Sequence, residues 1–433
     1  MTPFAADYDL SLPACIVLVP MVPLALAGLV LMNSGLGRTR SAAHSMLASL
    51  AAIAVAALAY CIFGFSWEGV AGGPAHTFIV GGRPWDWLAR APLCLRGMAP
   101  GNIRETLEVL LQVFAVGLAA LIPLSAGADR WRMSASCLST ALLAGWTYPL
   151  FAHWVWGGGW LAQLGSNYGL GRGFLDAGGA STIQVVGGLT ALNIVWIIGP
   201  RRGKYAEGGI ASAIPGHNIV YVLFGALLVV PGWIALNTTG AILFAGAAPA
   251  QSAMIAINTV LSAAAACMAA LIITRIRFAK PDASLCANGW VSGLVASSAV
   301  CAFVSPLSAI GIGLVAGALA TFAVELLELR MAVDDPGGAI SVHAVAGIWG
   351  LLAVGLFAGG QQDHAGQLLA QVVGVATLLG VVLPMSYGLN WLLDRFCPQR
   401  TDREGDRLGM DLHELGAGAY PEFMIHSDEF VQR

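Results

Sequence analysis

The sequence predicts an all-α polytopic membrane protein, and three observations support this fold class. Hydrophobic residues make up 57% of the 433-residue chain and charged residues only 10%, whereas a soluble protein of this length needs a far more charged surface. Long apolar runs recur from one end of the chain to the other. A short polar motif in the first half returns in related form in the second half. Together these features predict a bundle of transmembrane helices built from two related halves.

Hydropathy divides the chain into eleven apolar runs, each long enough to cross a hydrocarbon layer of roughly 30 Å. Because backbone polar groups must be satisfied inside lipid, we expect every run to form a helix. The predicted helices lie near 12–33, 43–65, 105–127, 134–153, 178–199, 216–235, 250–274, 285–304, 307–329, 340–358 and 366–393. Residues 1–393 are therefore predicted to form a membrane domain, and the polar residues 394–433 a C-terminal tail.

The basic residues predict the orientation of the chain in the membrane. All but five of the 21 Lys and Arg residues lie in loops and a tail that face the cytoplasm if the N-terminus is outside. Positively charged loops are retained on the cytoplasmic side. We therefore expect a multi-pass protein of the cell membrane (inner or plasma membrane) with its N-terminus outside, its C-terminus in the cytoplasm and an odd number of spans. The five exceptions are Arg83, Arg90, Arg96, Arg104 and Arg172.

The recurring motif reads DAGGASTIQVVGG at 176–188 and DPGGAISVHAVAG at 335–347. Asp176 precedes the fifth predicted helix and Asp335 precedes the tenth. Because these helices are five spans apart, the two copies enter the membrane from opposite faces. This pattern is typical of an inverted-topology repeat. We predict repeat A over about 12–199 and repeat B over about 216–358, with helix eleven, about 366–393, outside the repeat.

Each copy of the motif carries a polar residue eight positions after its Asp, Gln184 in one and His343 in the other. Eight helical residues rise about 12 Å, which places both side chains near the middle of a roughly 30 Å layer. A polar group at that depth lines a cavity or bonds a partner. Two explanations remain open: the pair lines a pathway, or it only holds two helices together. Asp176 and Asp335 are better explained as helix caps than as ligands.

Three segments carry a resemblance to a known family. DAGGASTIQVVGGLTAL, VDDPGGAISVHAVAGIWG and AHWVWGGG at 152–159 resemble the ammonium transporter, methylammonium permease and Rhesus family, and the resemblance extends over nearly the whole chain. It implies a homotrimer of eleven-helix protomers, each with its own narrow pore. It further implies that ammonium loses its proton at an outer vestibule and passes inward as ammonia and a proton.

The resemblance also implies roles for individual residues. Trp156 matches the vestibule aromatic that holds a cation against its π face, although an interfacial anchor is the alternative. Asp176 matches the acid that supports this outer site, and His343 matches the second member of a pore His pair. Asn237 matches an Asn that follows the gate. The expected substrate-binding residues are therefore Trp156, Asp176, Gln184 and His343, with Asn237, Gly240 and Asp335 in supporting positions.

Several positions depart from the family pattern. Gln184 stands where the first pore His is expected, and a Gln amide has no accessible protonation step with which to relay a proton. Gly240 stands where a Ser often assists the vestibule. Aliphatic residues replace the two gate aromatics, and Phe114 lies one residue from the gate register, which leaves open whether it substitutes for them. The expected gate residues are Leu111, Ala115 and Leu236.

The C-terminal tail resembles the regulatory tail of the family at a few positions, but Leu415 and Ala417 replace the usual His and Glu. In the family this tail crosses to a neighbouring protomer, and a PII-type nitrogen regulatory protein is a possible partner by analogy. A disordered tail is the alternative explanation. The matching positions are Gly409, Asp411, Gly416, Ala419 and Tyr420.

The residues and the resemblance together predict an ammonium transporter, with a neutral gas channel (ammonia or carbon dioxide) or a non-transporting ammonium sensor as alternatives. No Ser-His-Asp set, HExxH motif or paired-carboxylate pattern predicts an enzyme. The net charge of −3 gives no indication of a nucleic-acid partner. The eight cysteines lack metal-like spacing, so we expect neither metal nor cofactor; a bridge between Cys61 and Cys94 is left open.

Overall fold

In the computed structural model, which describes residues 11–98, 101–205, 211–358 and 364–420, long helices follow one another along the chain. Nine helices within these ranges are long and apolar enough to span a membrane. The prediction of a helical membrane protein is confirmed. The nine are α1 (Ser11–Leu36), α2 (Thr39–Glu68), α3 (Ile103–Ala126), α5 (Ala180–Ile198), α6 (Ile219–Phe244), α7 (Pro249–Phe278), α9 (Pro306–Arg330), α10 (Ile340–Phe357) and α11 (His364–Phe396).

Two further helices occupy the remaining predicted positions. The first, α4, covers 133–155 as the consecutive segments Met133–Leu142, Leu143–Thr147 and Tyr148–Val155. The second, α8, is Ala283–Val300. Neither belongs to the nine helices above, so the eleven predicted positions are all helical in the described chain, while eleven spans stay a prediction.

A two-stranded hairpin, absent from the prediction, lies in the loop between α2 and α3. Strands β1 (Ala75–Val80) and β2 (Arg83–Ala89) pair antiparallel across Gly81 and Gly82, whose φ angles are +60° and +77°. Glycine adopts such angles at both turn positions without strain, and a Gly-Gly pair is a hairpin signal. The Trp154 indole Nε1 donates to the Trp87 carbonyl (2.8 Å), which holds the hairpin on the end of α4.

The two repeats meet where α5 crosses α10. A Cβ placed on Gly188 would lie 2.5 Å from the Ala344 backbone N, and one placed on Gly347 would lie 2.6 Å from Cγ2 of Val185. These are equivalent contacts in the two copies of the motif. Small residues at helix crossings let backbones approach closely in membranes. The first helices of the repeats, α1 and α6, also pack against each other, as expected for a pseudo-twofold arrangement.

The loops at the start of α10 and at the end of α5 are joined by buried ion pairs. Arg201 donates to both carboxylate oxygens of Asp334 (3.0 and 2.9 Å) and also reaches Asp129 at 3.3 Å. Arg130, with no exposed surface, donates to the carbonyl oxygens of Gly199 (2.7 Å) and Asp334 (2.8 Å). Burial alone would raise the pKa of Asp334, but hydrogen bonds from Arg201 and the charge of Arg130 lower it below its usual value.

The described part of the tail is packed on the membrane domain of its own chain. It contains two short helices, α12 (Arg403–Leu408) and α13 (Asp411–Leu415). The Asp411 carboxylate accepts the backbone N–H groups of Ala43 (3.2 Å) and His44 (2.7 Å) at the start of α2. Glu414 accepts from the His44 ring (2.9 Å) and from the Met133 N–H (3.0 Å). The disordered alternative therefore does not apply to these residues.

The eight cysteines are unpaired in the structure. The Cys94 N–H donates to the carbonyl oxygen of Ile62 (3.0 Å), which brings the segments containing Cys61 and Cys94 together, but their sulfur atoms form no bridge.

Candidate functional site

Gln184 and His343 lie together at the crossing of α5 and α10. The His343 Nδ1 and the Gln184 Oε1 are 2.7 Å apart, and both side chains are buried. Each residue sits in a wide π-helical turn, Ala180–Val185 in α5 and Ile340–Val345 in α10. Such turns widen the spacing of side chains and are frequent at functional sites. The structure thus brings the two polar residues into contact between the repeats.

The contact determines which ring nitrogen of His343 carries the proton. An amide oxygen only accepts, so Nδ1 must donate the shared hydrogen, and Nε2 of the neutral ring is left as an acceptor. The Gln184 Nε2 is buried without a partner within the described chain, as are the hydroxyls of Thr182 and Ser341. Buried polar atoms without protein partners point to a bound polar molecule, because leaving them unsatisfied costs free energy.

Asp176 caps the start of α5 with both of its carboxylate oxygens. Oδ1 accepts the N–H groups of Gly179 (2.9 Å) and Ala180 (2.8 Å), while Oδ2 accepts the N–H (2.7 Å) and hydroxyl (2.6 Å) of Ser181. Asp335 does the same for α10 with fewer bonds, to the N–H groups of Ala339 (3.0 Å) and Ile340 (2.7 Å). Both carboxylates hold a helix start in place, and the Asp176 side chain is 3% exposed.

Trp156 follows the end of α4 and is fixed against the start of α5. Its indole Nε1 donates to the Asp176 carbonyl (2.8 Å). One face of the ring is covered by Phe244, with ring centroids 4.5 Å apart and an interplanar angle of 11°. Trp156 is therefore buried in an aromatic pair and is not an open platform. The sequence does not identify Phe244, the last residue of α6, as part of the site, because it does not show which helix ends lie next to each other.

The predicted gate positions carry no aromatic ring. Leu111, Ala115 and Leu236 are all buried aliphatic residues. Phe114 is half-buried and packs against the hydrophobic core. The ring that stacks on Trp156 is that of Phe244, which lies two helical turns after Leu236.

Gly240 lies where α6 touches the loop before α5. A Cβ at this position would lie 2.5 Å from the Ala177 carbonyl oxygen, which leaves no room for a serine side chain. One turn earlier, the Asn237 Nδ2 donates to the hydroxyls of Thr259 (2.9 Å) and Ser297 (3.1 Å). Its Oδ1 is buried without a partner within the described residues. Asn237 and Gly240 therefore join α6 to its neighbours beside the Trp156 pair.

A buried carboxylate that the sequence did not reveal lies close to Trp156. Glu68, the last residue of α2, is 2% exposed. Its oxygens accept from the Tyr60 hydroxyl (2.8 Å) and from the Gln112 amide, whose own oxygen accepts from the Tyr148 hydroxyl. Three helices supply these residues, so no local pattern predicts their meeting.

The end of the bundle where α10 begins contains a large cavity. Its volume is about 530 Å³, and its lining includes Asp335, Asp334, Arg201 and Asn288. The cavity begins at the capped end of α10, two helical turns before His343.

Comparisons with known proteins agree with this architecture. The sequence model of the Ammonium Transporter Family matches residues 14–420. The chain is 32% identical to ammonium transporter Amt2 of Archaeoglobus fulgidus, covering 93% of this chain and 86% of that protein. It is 30% identical to an ammonium transporter of Bacillus subtilis, with 92% and 95% covered.

Two solved structures have a similar fold. A sensor Amt protein superposes with a TM-score of 0.84 at 25% identity, covering 94% of this chain and 98% of that one. Mep2 of Candida albicans gives a TM-score of 0.78 at 22% identity, with 95% and 90% covered.

Proposed function

Because the chain belongs to the ammonium transporter family, we propose that it carries ammonium or ammonia across the membrane through a pore that passes Gln184 and His343. The observation that carries this proposal is the Gln184–His343 pair with its unpartnered amide nitrogen. The pair presents one hydrogen-bond donor, the Gln184 Nε2, and one acceptor, the His343 Nε2. Ammonia both donates and accepts hydrogen bonds, so this arrangement suits it.

The Gln184–His343 pair favours passage of neutral ammonia over a proton relay. A proton relay along two imidazoles needs both rings to exchange their protons. The amide of Gln184 can change its hydrogen bonds but cannot take up and release a proton. The pore of this chain therefore passes neutral ammonia past Gln184 and His343, and the proton left at the outer side does not follow through this pair. Conduction of a neutral gas is then the second candidate, favoured by this one substitution.

The proposed path begins at Trp156. The Trp156–Phe244 pair covers the outer ends of α4 and α6, and Asp176 holds the adjacent start of α5 in position. We place this end of the bundle outside and the tail in the cytoplasm, in accordance with the excess of Lys and Arg on the tail side. A homotrimer and a PII-type partner at the tail belong to the same proposal by analogy with the family.

Uptake of labelled ammonium by cells lacking their own ammonium transporters tests the proposal. Expression of the chain should restore uptake, and Trp156→Ala should abolish most of it. Trp196→Ala is the matched control, because the Trp196 ring is 48% exposed on the outside of α5. Failure of the wild-type chain to raise uptake, despite normal amounts in the membrane, would contradict the proposal.

A further inference from the structure

A groove on the surface of the bundle lies along the last turns of α9, at the end where α10 begins. Its volume is about 580 Å³. Arg277, in the last turn of α7, and Arg330, the last residue of α9, line the groove together with Glu325. The apolar floor is formed by Leu319, Phe322, Ala323, Leu326, Leu329 and Val345. The groove thus has an apolar floor and two arginines at its polar end.

The apolar floor follows one face of α9. Leu319, Phe322, Leu326 and Leu329 recur at spacings of three and four residues, which places them on the same side of the helix. Their side chains are between 37% and 64% exposed. The helix rises about 15 Å from Leu319 to Leu329, which is half of a hydrocarbon layer of roughly 30 Å. The floor therefore extends over the depth of one lipid leaflet.

The guanidinium of Arg277 is held above this floor. Its Nη1 lies 2.8 Å from the Glu325 carboxylate, and its central carbon lies 5.5 Å from the centroid of the Phe322 ring. The ring face attracts the cation and fixes its position. A guanidinium carries several N–H donors in a planar fork, and one carboxylate oxygen occupies only part of them. The remaining donors suit a phosphate group, which arginine binds with two parallel hydrogen bonds.

The polar end of the groove carries an excess of positive charge. Glu325 supplies one negative charge against the two positive charges of Arg277 and Arg330. Within the described residues, no carboxylate forms an ion pair with Arg330. Arg275 and Lys280, at the end of α7, are also exposed. Basic pockets between membrane helices attract the anionic head groups of lipids.

An anionic phospholipid suits both parts of the groove better than the other possible occupants. An apolar protein surface would cover the floor but would bury Arg330 without a counter-charge, which is costly. A free anion would bind the arginines but leave the apolar floor exposed. A phospholipid places its phosphate at the arginines and an acyl chain along the floor.

We propose that this groove binds one anionic phospholipid, with its phosphate between Arg277 and Arg330 and one acyl chain along α9. In the proposed orientation of the chain, this lipid belongs to the cytoplasmic leaflet. The inference goes beyond the proposed transport, because lipid binding does not require the pore to conduct. Failure of ammonium uptake would leave the lipid site standing, and failure of lipid binding would leave the proposed transport untouched.

Native mass spectrometry of the purified full chain in detergent tests the site. The chain is titrated with phosphatidylglycerol, which is anionic, and with phosphatidylcholine of the same acyl chains, which is not. Wild type should retain one phosphatidylglycerol per protomer and bind it at least about tenfold more tightly than phosphatidylcholine, a factor that corresponds to about 1.4 kcal/mol. Equal affinity for the two lipids would overturn the proposal.

Two sets of variants separate this groove from a general attraction of basic residues to anionic lipid. The double variant Arg277→Gln, Arg330→Gln should lose most of the preference for phosphatidylglycerol, because both side chains facing the phosphate become neutral. Arg395→Gln is the matched control. The Arg395 guanidinium also lies over an exposed aromatic ring, that of Trp391 at 4.9 Å, but on α11, outside the groove. An equal loss in the control would contradict a specific site.

A further variant tests the apolar floor, and it also serves if the double variant does not fold. Leu326 is 54% exposed in the groove, so Leu326→Gln should preserve the fold and weaken the binding of both lipids several-fold. Unchanged binding in this variant would overturn the proposed position of the acyl chain. Glycerol phosphate, which lacks acyl chains, should not displace phosphatidylglycerol, and displacement would show a phosphate site only. A changed number of protomers with unchanged lipid binding in the arginine variant would show that a second copy occupies the groove.

Discussion

The start of α5 and the start of α10 have the same backbone arrangement around different side chains. In both, an Asp caps the helix, a glycine with positive φ follows (Gly179 at +92°, Gly338 at +71°), and a π-helical turn carries the polar residue. The polar residue is Gln184 in one copy and His343 in the other, and the two are in contact. The backbone thus sets the position of the site, while the side chain at that position sets which chemistry the site can perform.

The largest effect is expected from removing the single imidazole of the pair. His343→Ala removes the acceptor that we propose faces ammonia, and it leaves the Gln184 oxygen without its donor. Uptake of labelled ammonium should fall by more than about tenfold, since one lost hydrogen bond of about 1.4 kcal/mol already has that effect. Gln184→Ala should reduce uptake less, because His343 keeps its acceptor. Equal losses of uptake in both variants would mean that Gln184 and His343 contribute equally.

The two caps should differ in strength. Asp176→Ala removes four hydrogen bonds of 2.9 Å or less around one buried carboxylate, whereas Asp335→Ala removes two of 3.0 Å or less. Caps contribute about 1 kcal/mol, and hydrogen bonds to charged groups more. We expect a loss of about 3 kcal/mol for Asp176→Ala and about 1–2 kcal/mol for Asp335→Ala. Unfolding of the purified chain in detergent measures both, and a larger loss at Asp335 would contradict the comparison.

The helix crossing offers a smaller test. Gly188→Ala places its Cβ 2.5 Å from the backbone N of Ala344, which cannot move without the helix, whereas Gly347→Ala meets the Val185 side chain at 2.6 Å and a backbone atom, the Ala180 carbonyl oxygen, only at 3.0 Å. Overpacking costs about 1–3 kcal/mol of stability. The cost of Gly188→Ala should be at the upper end of this range, because the backbone it meets is rigid. The midpoint of thermal unfolding should therefore drop further for Gly188→Ala. The reverse order would show that the crossing is not governed by these two contacts.

The smallest effect is expected at the tail, which contacts α2 and α4 in the first half of the chain. Burial would raise the pKa of Glu414, but hydrogen bonds from His44 and the Met133 N–H lower it. A carboxylate with a lowered folded pKa contributes its full stability above the ordinary value of about 4.3 and loses it as the pH falls through the folded value. Proteolytic cleavage of the tail should therefore speed up below about pH 4. In Glu414→Gln the tail should be cleaved faster than in wild type already at about pH 6. Equal cleavage rates at that pH would contradict this contact.

The sequence was sufficient for the features that repeat along one helix. Apolar runs predict the long helices, and the spacing from Asp176 to Gln184, matched by Asp335 to His343, predicts that both polar residues lie at the same depth, where the structure brings them into contact. The Glu68–Gln112–Tyr148 network and the Trp156–Phe244 pair could not be predicted, because they join residues from separate helices whose relative rotation no local pattern fixes. The hairpin could have been found from Gly81 and Gly82 between alternating residues.

We propose that Gln184 prevents proton passage while allowing ammonia to pass. The most direct test of this role compares wild type with Gln184→His in proteoliposomes exposed to an ammonium gradient, recording electrical current and internal pH together. We expect that wild type raises the internal pH with little current and that Gln184→His produces a clear current. A wild-type current equal to that of Gln184→His would contradict this role of Gln184.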